Sequence, residues 1–134
     1  MVERDLKKIT KEFANRCVRL CEALPDTILG RHVKNQLIKC STSVPSNYRT
    51  VCLAQSKADF VSKISIVIEE IDESCYWLEF IVENKILTEK RVVNLLKEGK
   101  ELTAIFMKSR KTAKSRNKEF ANSDANIKLL TVNH

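Results

Sequence analysis

The chain reads as an all-α protein, one antiparallel up-down-up-down four-helix bundle with its second helix kinked near Pro45. Three observations predict this fold class. Apolar residues recur at three- and four-residue steps over four successive stretches, which is the period of one helix face. Glycine and proline number only two each, so little material exists for tight turns, barrel corners or phosphate-cradling loops. With 43% apolar and 31% charged residues in 134, the composition is that of one globular domain able to bury a core without staples. The periodic pattern assigns residues 1–114 to the bundle and leaves 115–134 as a basic-to-polar C-terminal tail, frayed from about Ser115.

The first helix is expected near 5–24, on the stripe Leu6, Ile9, Phe13, Cys17, Leu20 and Leu24. Pro25-Asp26-Thr27 ends it and offers a side-chain oxygen to cap the next helix. The second, near 28–55, keeps its stripe in phase through Val33, Leu37, Cys40, Val44, Tyr48 and Val51. Pro45 lies inside it and cannot donate to the Ser41 carbonyl, so a bend is expected, with Ser41, Thr42, Ser43, Ser46 and Asn47 placed to bond freed backbone groups. A ligand notch at that bend is the functional alternative.

Ser56-Lys57-Ala58-Asp59 has capping-box form and opens the third helix, near 57–84. Phe60, Ile64, Val67, Ile71, Ser74, Leu78 and Ile81 make its main stripe, widened by Val61, Ile68, Cys75 and Val82. Ile66, Trp77 and Phe80 lie off that stripe. A helix apolar over so much of its circumference either sits centrally or meets another subunit. Asn84 is the candidate for a left-handed C-terminal position and Thr88 the candidate cap of the fourth helix, near 88–114. That helix uses Val92, Leu95, Leu96, Leu102, Ile105 and Phe106, with Gly99 read as a close-packing site.

No apolar run approaches the roughly 18 residues needed to span a bilayer, and the N-terminal residues lack the apolar region of a secretory signal. Five cysteines, an odd number without Cys-x-x-Cys spacing, fit a reducing, cytoplasmic setting. Cys17 and Cys21 share a helix face, so a metal site and a pair of buried small hydrophobes are both readings of them. The buried pair is preferred, and no metal or cofactor is expected.

Charge is segregated along the chain. Residues 1–58 carry net +6, residues 59–83 net −6 and residues 84–118 net +8. The densest basic stretch, Lys108, Arg110, Lys111, Lys114, Arg116 and Lys118, contains no acid and suits phosphate neutralisation with counterion release. A solvated helix end is the plainer reading of the same run. Arg16, Arg19 and Arg49 are possible additions to a nucleic-acid surface, for either RNA or DNA. The acidic third helix set between basic segments suggests homo-oligomerisation, with Tyr76, Trp77 and Phe80 as apolar anchors.

Catalysis finds no support. The histidines are His32 and His134, the paired Glu-x-x-His of a bundle di-metal site is missing, and zincin, phosphate-loop and dinucleotide signatures are absent. Glu69, Glu70, Asp72 and Glu73 cluster without a histidine partner and read as a solvated face. A non-enzymatic nucleic-acid-binding scaffold and a protein-interaction module remain as the two function classes.

Ser43-Val-Pro-Ser-Asn47, Ala54-Gln-Ser-Lys-Ala-Asp-Phe-Val-Ser-Lys63, Ser74-Cys-Tyr-Trp-Leu-Glu79 and Leu87-Thr-Glu89 resemble the four-helix-bundle family encoded in intervening sequences of bacterial large-subunit ribosomal RNA, often labelled as an S-type ribosomal protein. The resemblance spans about residues 9–114. It implies an antiparallel bundle assembled into a ring, a homopentamer as in the related accessory protein of diversity-generating retroelements, without enzymatic activity. It also implies nucleic acid and a reverse transcriptase or other protein as partners. One departure stands out: Tyr48-Arg49-Thr50 replaces the family's usual aliphatic residue, alanine and glutamate.

Overall fold

The computed structural model describes residues 5–121, with side chains through Arg116. Its elements are four α-helices: α1 Leu6–Cys21, α2 Ile28–Val51, α3 Lys57–Glu83 and α4 Glu89–Ala121. The described residues include no strand, and no helix among them is long and apolar enough to cross a membrane. α2 packs most extensively against α3, α3 against α4 and α1 against α2, while α1 and α4 close the set more lightly. α3 therefore has a full partner on each side, which accounts for its wide apolar face.

Local chemistry sets the boundaries. The Asp5 carboxylate accepts from the Lys8 amide at 3.1 Å and starts α1. α1 stops at Cys21, short of the expected residue 24, because Ala23 and Leu24 bond back three residues instead of four. The Thr27 hydroxyl accepts from the Gly30 amide at 3.0 Å, as the sequence predicts. A β-carbon on Gly30 would lie 2.0 Å from the Pro25 carbonyl oxygen, so the turn closes only around glycine. α2 passes through Pro45 without a break and ends at Val51, because Leu53 and Ala54 again bond three residues back. Just beyond the proline, the Ser46 hydroxyl and the Asn47 side-chain amide donate back to the Ser43 carbonyl that precedes it.

Ser56 caps α3 through the Asp59 amide at 3.0 Å, while the Asp59 carboxylate reaches back to the Gln55 amide. The reciprocal arm of the box thus lands one residue earlier than the usual pattern. The left-handed position after α3 belongs to Lys85, with φ 55°, and not to Asn84. Asn84 keeps a near-helical backbone and its side-chain amide donates to the Phe80 carbonyl. The Ile86 amide then bonds the Ile81 carbonyl and the Lys85 amide the Val82 carbonyl, closing a Schellman turn. α4 continues to Ala121, past the expected end at 114. The fading stripe misleads there because no glycine or proline follows and the segment is rich in helix-forming lysine and arginine. Residues from Asn122 onward lie outside the described residues.

The core follows the four stripes. Phe13, Cys17, Leu37, Val44, Ile64, Ile71, Leu78, Ile81, Leu102 and Phe106 are buried together. A β-carbon on Gly99 would sit 2.7 Å from the Cys75 sulfur and 3.2 Å from the Phe13 ring, so this glycine does serve the close approach of α4 to α1 and α3.

Candidate nucleic-acid interface

The basic run of α4 is helical, so its side chains separate by angle as well as by sequence. Lys108, Arg110, Lys111 and Lys114 come together with Met107 and Ser115 around a shallow groove of about 610 Å³. Arg110 is the fixed member, since its guanidinium donates to the Ser65 hydroxyl of α3 at 3.1 Å. Lys108, Lys111 and Lys114 are exposed. Such an arrangement can neutralise phosphates at a surface, but it presents no aromatic ring for stacking bases.

Arg116 leaves that group and turns toward a second, deeper groove of about 420 Å³. Its walls come from Leu6, Tyr48, Val51, Phe60, Ile64, Ile105, Phe106 and Ala113, and Lys57, Lys108 and Arg116 also line it. Burial holds the Lys57 ammonium below its usual pKa, and the like charge of Arg116 acts in the same direction. The side chain of Lys118 lies outside the described residues.

Arg16 and Arg19 are not joined to the α4 run. They line a separate depression with Leu20, Leu95 and Arg91, about 25 Å from Lys108 along α4 at 1.5 Å per residue. Sequence reasoning missed Arg91, although it stands one helical turn before the core residue Leu95. Arg16 is partly neutralised by an ion pair to Glu98. Arg49 is exposed in the last turn of α2 and lines none of these grooves.

The three proposed oligomer anchors do cluster. Trp77 stacks edge-on with Tyr76 at 4.9 Å and with Phe80 at 5.4 Å, and His32 of α2 joins at 5.6 Å from Trp77. Tyr76 is 53% exposed, whereas Trp77 and Phe80 are half-buried. His32 was not grouped with them from the sequence, because the pairing depends on how α2 packs against α3.

Four of the five thiols, those of Cys17, Cys21, Cys40 and Cys75, are buried and unsuited to nucleophilic work. Burial pushes Cys21, Cys40 and Cys75 up to about 11, and Cys17 higher still, with neighbouring thiols adding to the effect at Cys17. Cys21 donates weakly to the Lys34 carbonyl and Cys40 to that of Leu37. Among the described residues, no group of three or more His, Cys, Asp or Glu is arranged to hold a metal ion.

The family profile of the 23S rRNA-intervening sequence protein matches residues 3–108, covering α1 to α3 and about three-fifths of α4. The chain belongs to that family. Among solved structures, a protein of unknown function from the S23 ribosomal protein family of Bacteroides thetaiotaomicron VPI-5482 is similar at 28% sequence identity and a TM-score of 0.71. That match covers 78% of this chain and 97% of the other. No curated protein matches. Tyr48, Arg49 and Thr50 fall at the end of α2. Tyr48 rests on Phe106 with ring centroids 5.3 Å apart, and Arg49 and Thr50 point outward.

Proposed function

We propose that this intervening sequence protein is a non-enzymatic, cytoplasmic homo-oligomeric scaffold that binds RNA or DNA without sequence preference. The observation that carries the reading is the convergence of Lys108, Arg110, Lys111 and Lys114 on one groove whose described lining includes no acid. Each subunit contributes modest phosphate contacts, and a ring repeats them, so effective concentration supplies most of the affinity. The finer architecture belongs to the same proposal. Helices run up-down-up-down, supported by Leu6 of α1 lying beside Ala113 of α4 while Arg19 lies beside Arg91, and α2 bends at Pro45. Subunits meet through Tyr76, Trp77 and Phe80, in the number of five that the family resemblance implies.

The test is binding of a single-stranded RNA of arbitrary sequence over a series of salt concentrations. Each phosphate neutralised on a single strand contributes about −0.7 to the slope of log K against log salt. Changing Lys108, Arg110, Lys111 and Lys114 together to glutamine lowers the slope magnitude by up to about 2.8, with fold and mass unchanged. An unchanged affinity in that variant, or no binding by the parent at about 50 mM salt, removes the reading. The exposed cluster of Tyr76 with Trp77, Phe80 and His32 favours a second reading, a protein-interaction module without nucleic-acid contact, which would then stand. Capture of a reverse transcriptase or another protein by an intact ring and not by a Trp77→Ala variant would support it.

A further inference from the structure

The 420 Å³ groove at the Leu6 end of α1 falls within the span of about 300–1,000 Å³ common to small-molecule sites, and its walls are mainly aliphatic and aromatic. Three cations, Lys57, Lys108 and Arg116, belong to its lining, and none of the described residues that line it is acidic. Lys57 is the unusual member. It is only 6% exposed, and among the described residues its ammonium has no hydrogen-bond or ion-pair partner. A lysine whose stem snorkels along apolar surface needs no ligand on that account alone. Here, however, Lys108 and Arg116 share the groove with Lys57, so three like charges repel one another with no acid in the described lining, and one bound anion relieves that repulsion.

We propose that this groove is a binding site for an amphiphilic anion, with an apolar chain lying against Phe60, Ile64, Ile105 and Phe106 and a carboxylate or phosphate head held by Lys57, Lys108 and Arg116. The apolar wall supplies affinity in proportion to the chain surface removed from water, and the cations select the charged end. The two grooves share Lys108, but Lys57 and Arg116 take no part in the Lys108–Lys114 groove, so variants at Lys57 test this site apart from the RNA reading.

Calorimetric titration of the full chain with sodium dodecanoate, below its micelle concentration, tests the idea. One dodecanoate binds per chain, butyrate fails for want of a chain, and dodecanol binds at least tenfold more weakly for want of a charge. Dodecyl phosphate in a parallel arm tells which head group is preferred. Lys57→Met keeps the apolar stem and removes one of the three clustered charges, so it holds or raises stability yet weakens dodecanoate at least tenfold, while Lys97→Gln, an exposed lysine elsewhere on α4, changes nothing. Methyl resonances of Ile64 and Ile105 shift on titration and that of Ile81 does not. The proposal is overturned by non-saturable binding, by equal affinity for dodecanol, or by unaltered binding in Lys57→Met. It is overturned as well if truncation after Ala121 shifts the Ile64 and Ile105 methyls and dodecanoate does not, since the groove would then belong to the chain's own last residues.

Discussion

Gly99→Ala tests the packing of α4 directly. In an open helix this exchange gains about 1 kcal/mol, because alanine loses less backbone entropy and is the best helix former. At Gly99 the new methyl meets the Cys75 sulfur at 2.7 Å and two carbons of the Phe13 ring at 3.2 Å. Phe13 is fully buried and Cys75 nearly so, and neither is the free end of a flexible chain. Overpacking of this kind costs about 1–3 kcal/mol, and the sulfur contact places Gly99 in the upper part of that range. The net expectation is a loss of about 1–2 kcal/mol, opposite in sign to propensity alone. Cys75→Ala removes the worst contact, so the double variant should recover at least about 1 kcal/mol relative to the sum of the single changes. Urea unfolding followed by far-ultraviolet circular dichroism measures all four corners of the cycle, provided the denaturant slope stays constant. Stabilisation by Gly99→Ala, or single effects that add within about 0.3 kcal/mol, would refute the reasoning.

Leu78→Ala leaves a cavity between α3 and its neighbours and should cost about 2–5 kcal/mol in the same unfolding assay. Thiol alkylation at pH 8 should modify Cys52 first, since it is the one cysteine that is not buried, while Cys21, Cys40 and Cys75, with thiols pushed to about 11, wait on unfolding; mass spectrometry after timed quenching gives the order. Stability should fall as pH rises through the window from 9 to about 11. There the unfolded chain sheds thiol protons that the folded chain retains, so fewer protons are bound in the unfolded state and the slope is negative. A flat profile across that window, read by urea midpoint, would contradict it.

The stripes of α1, α2 and α3 were legible because each repeats a buried face without interruption, and the caps at Thr27 and Ser56 were legible because one side-chain oxygen decides them. Boundaries were harder. α1 and α2 both tighten to three-residue bonds in their last turn, which leaves no mark in composition. Lys85 takes the left-handed position although asparagine suits it better, because α3 keeps its Schellman bonds one residue further along. In the candidate sites, the Lys108–Lys114 group was visible as a run of charge. Lys57 was not, since its sequence context is that of a first helical turn and it shares a groove with Arg116 and Phe106 only once α4 packs on α3. His32 was invisible as a partner of Trp77 for the same reason.

Charge on this surface is arranged by helix, and the consequences differ for the two faces of α3 and α4. Lys100 pairs with Glu79 at 3.0 Å across these helices, and Arg110 bonds Ser65, so polar contacts at the edge of their apolar join add at most about 1 kcal/mol per pair. Beyond the join, α3 presents Glu69, Asp72 and Glu73 around Tyr76, whereas α4 presents lysines. At ordinary salt a phosphate chain on the α4 groove is repelled only by those α3 acids that come within roughly 10 Å of its path. Under the proposed assembly, a subunit interface through Tyr76, Trp77 and Phe80 takes the acidic face out of that path. Assembly and nucleic-acid binding are then coupled through electrostatics without any change of fold: loss of the interface by Trp77→Ala should weaken RNA binding by more than the loss of avidity alone, and the excess should vanish as salt is raised.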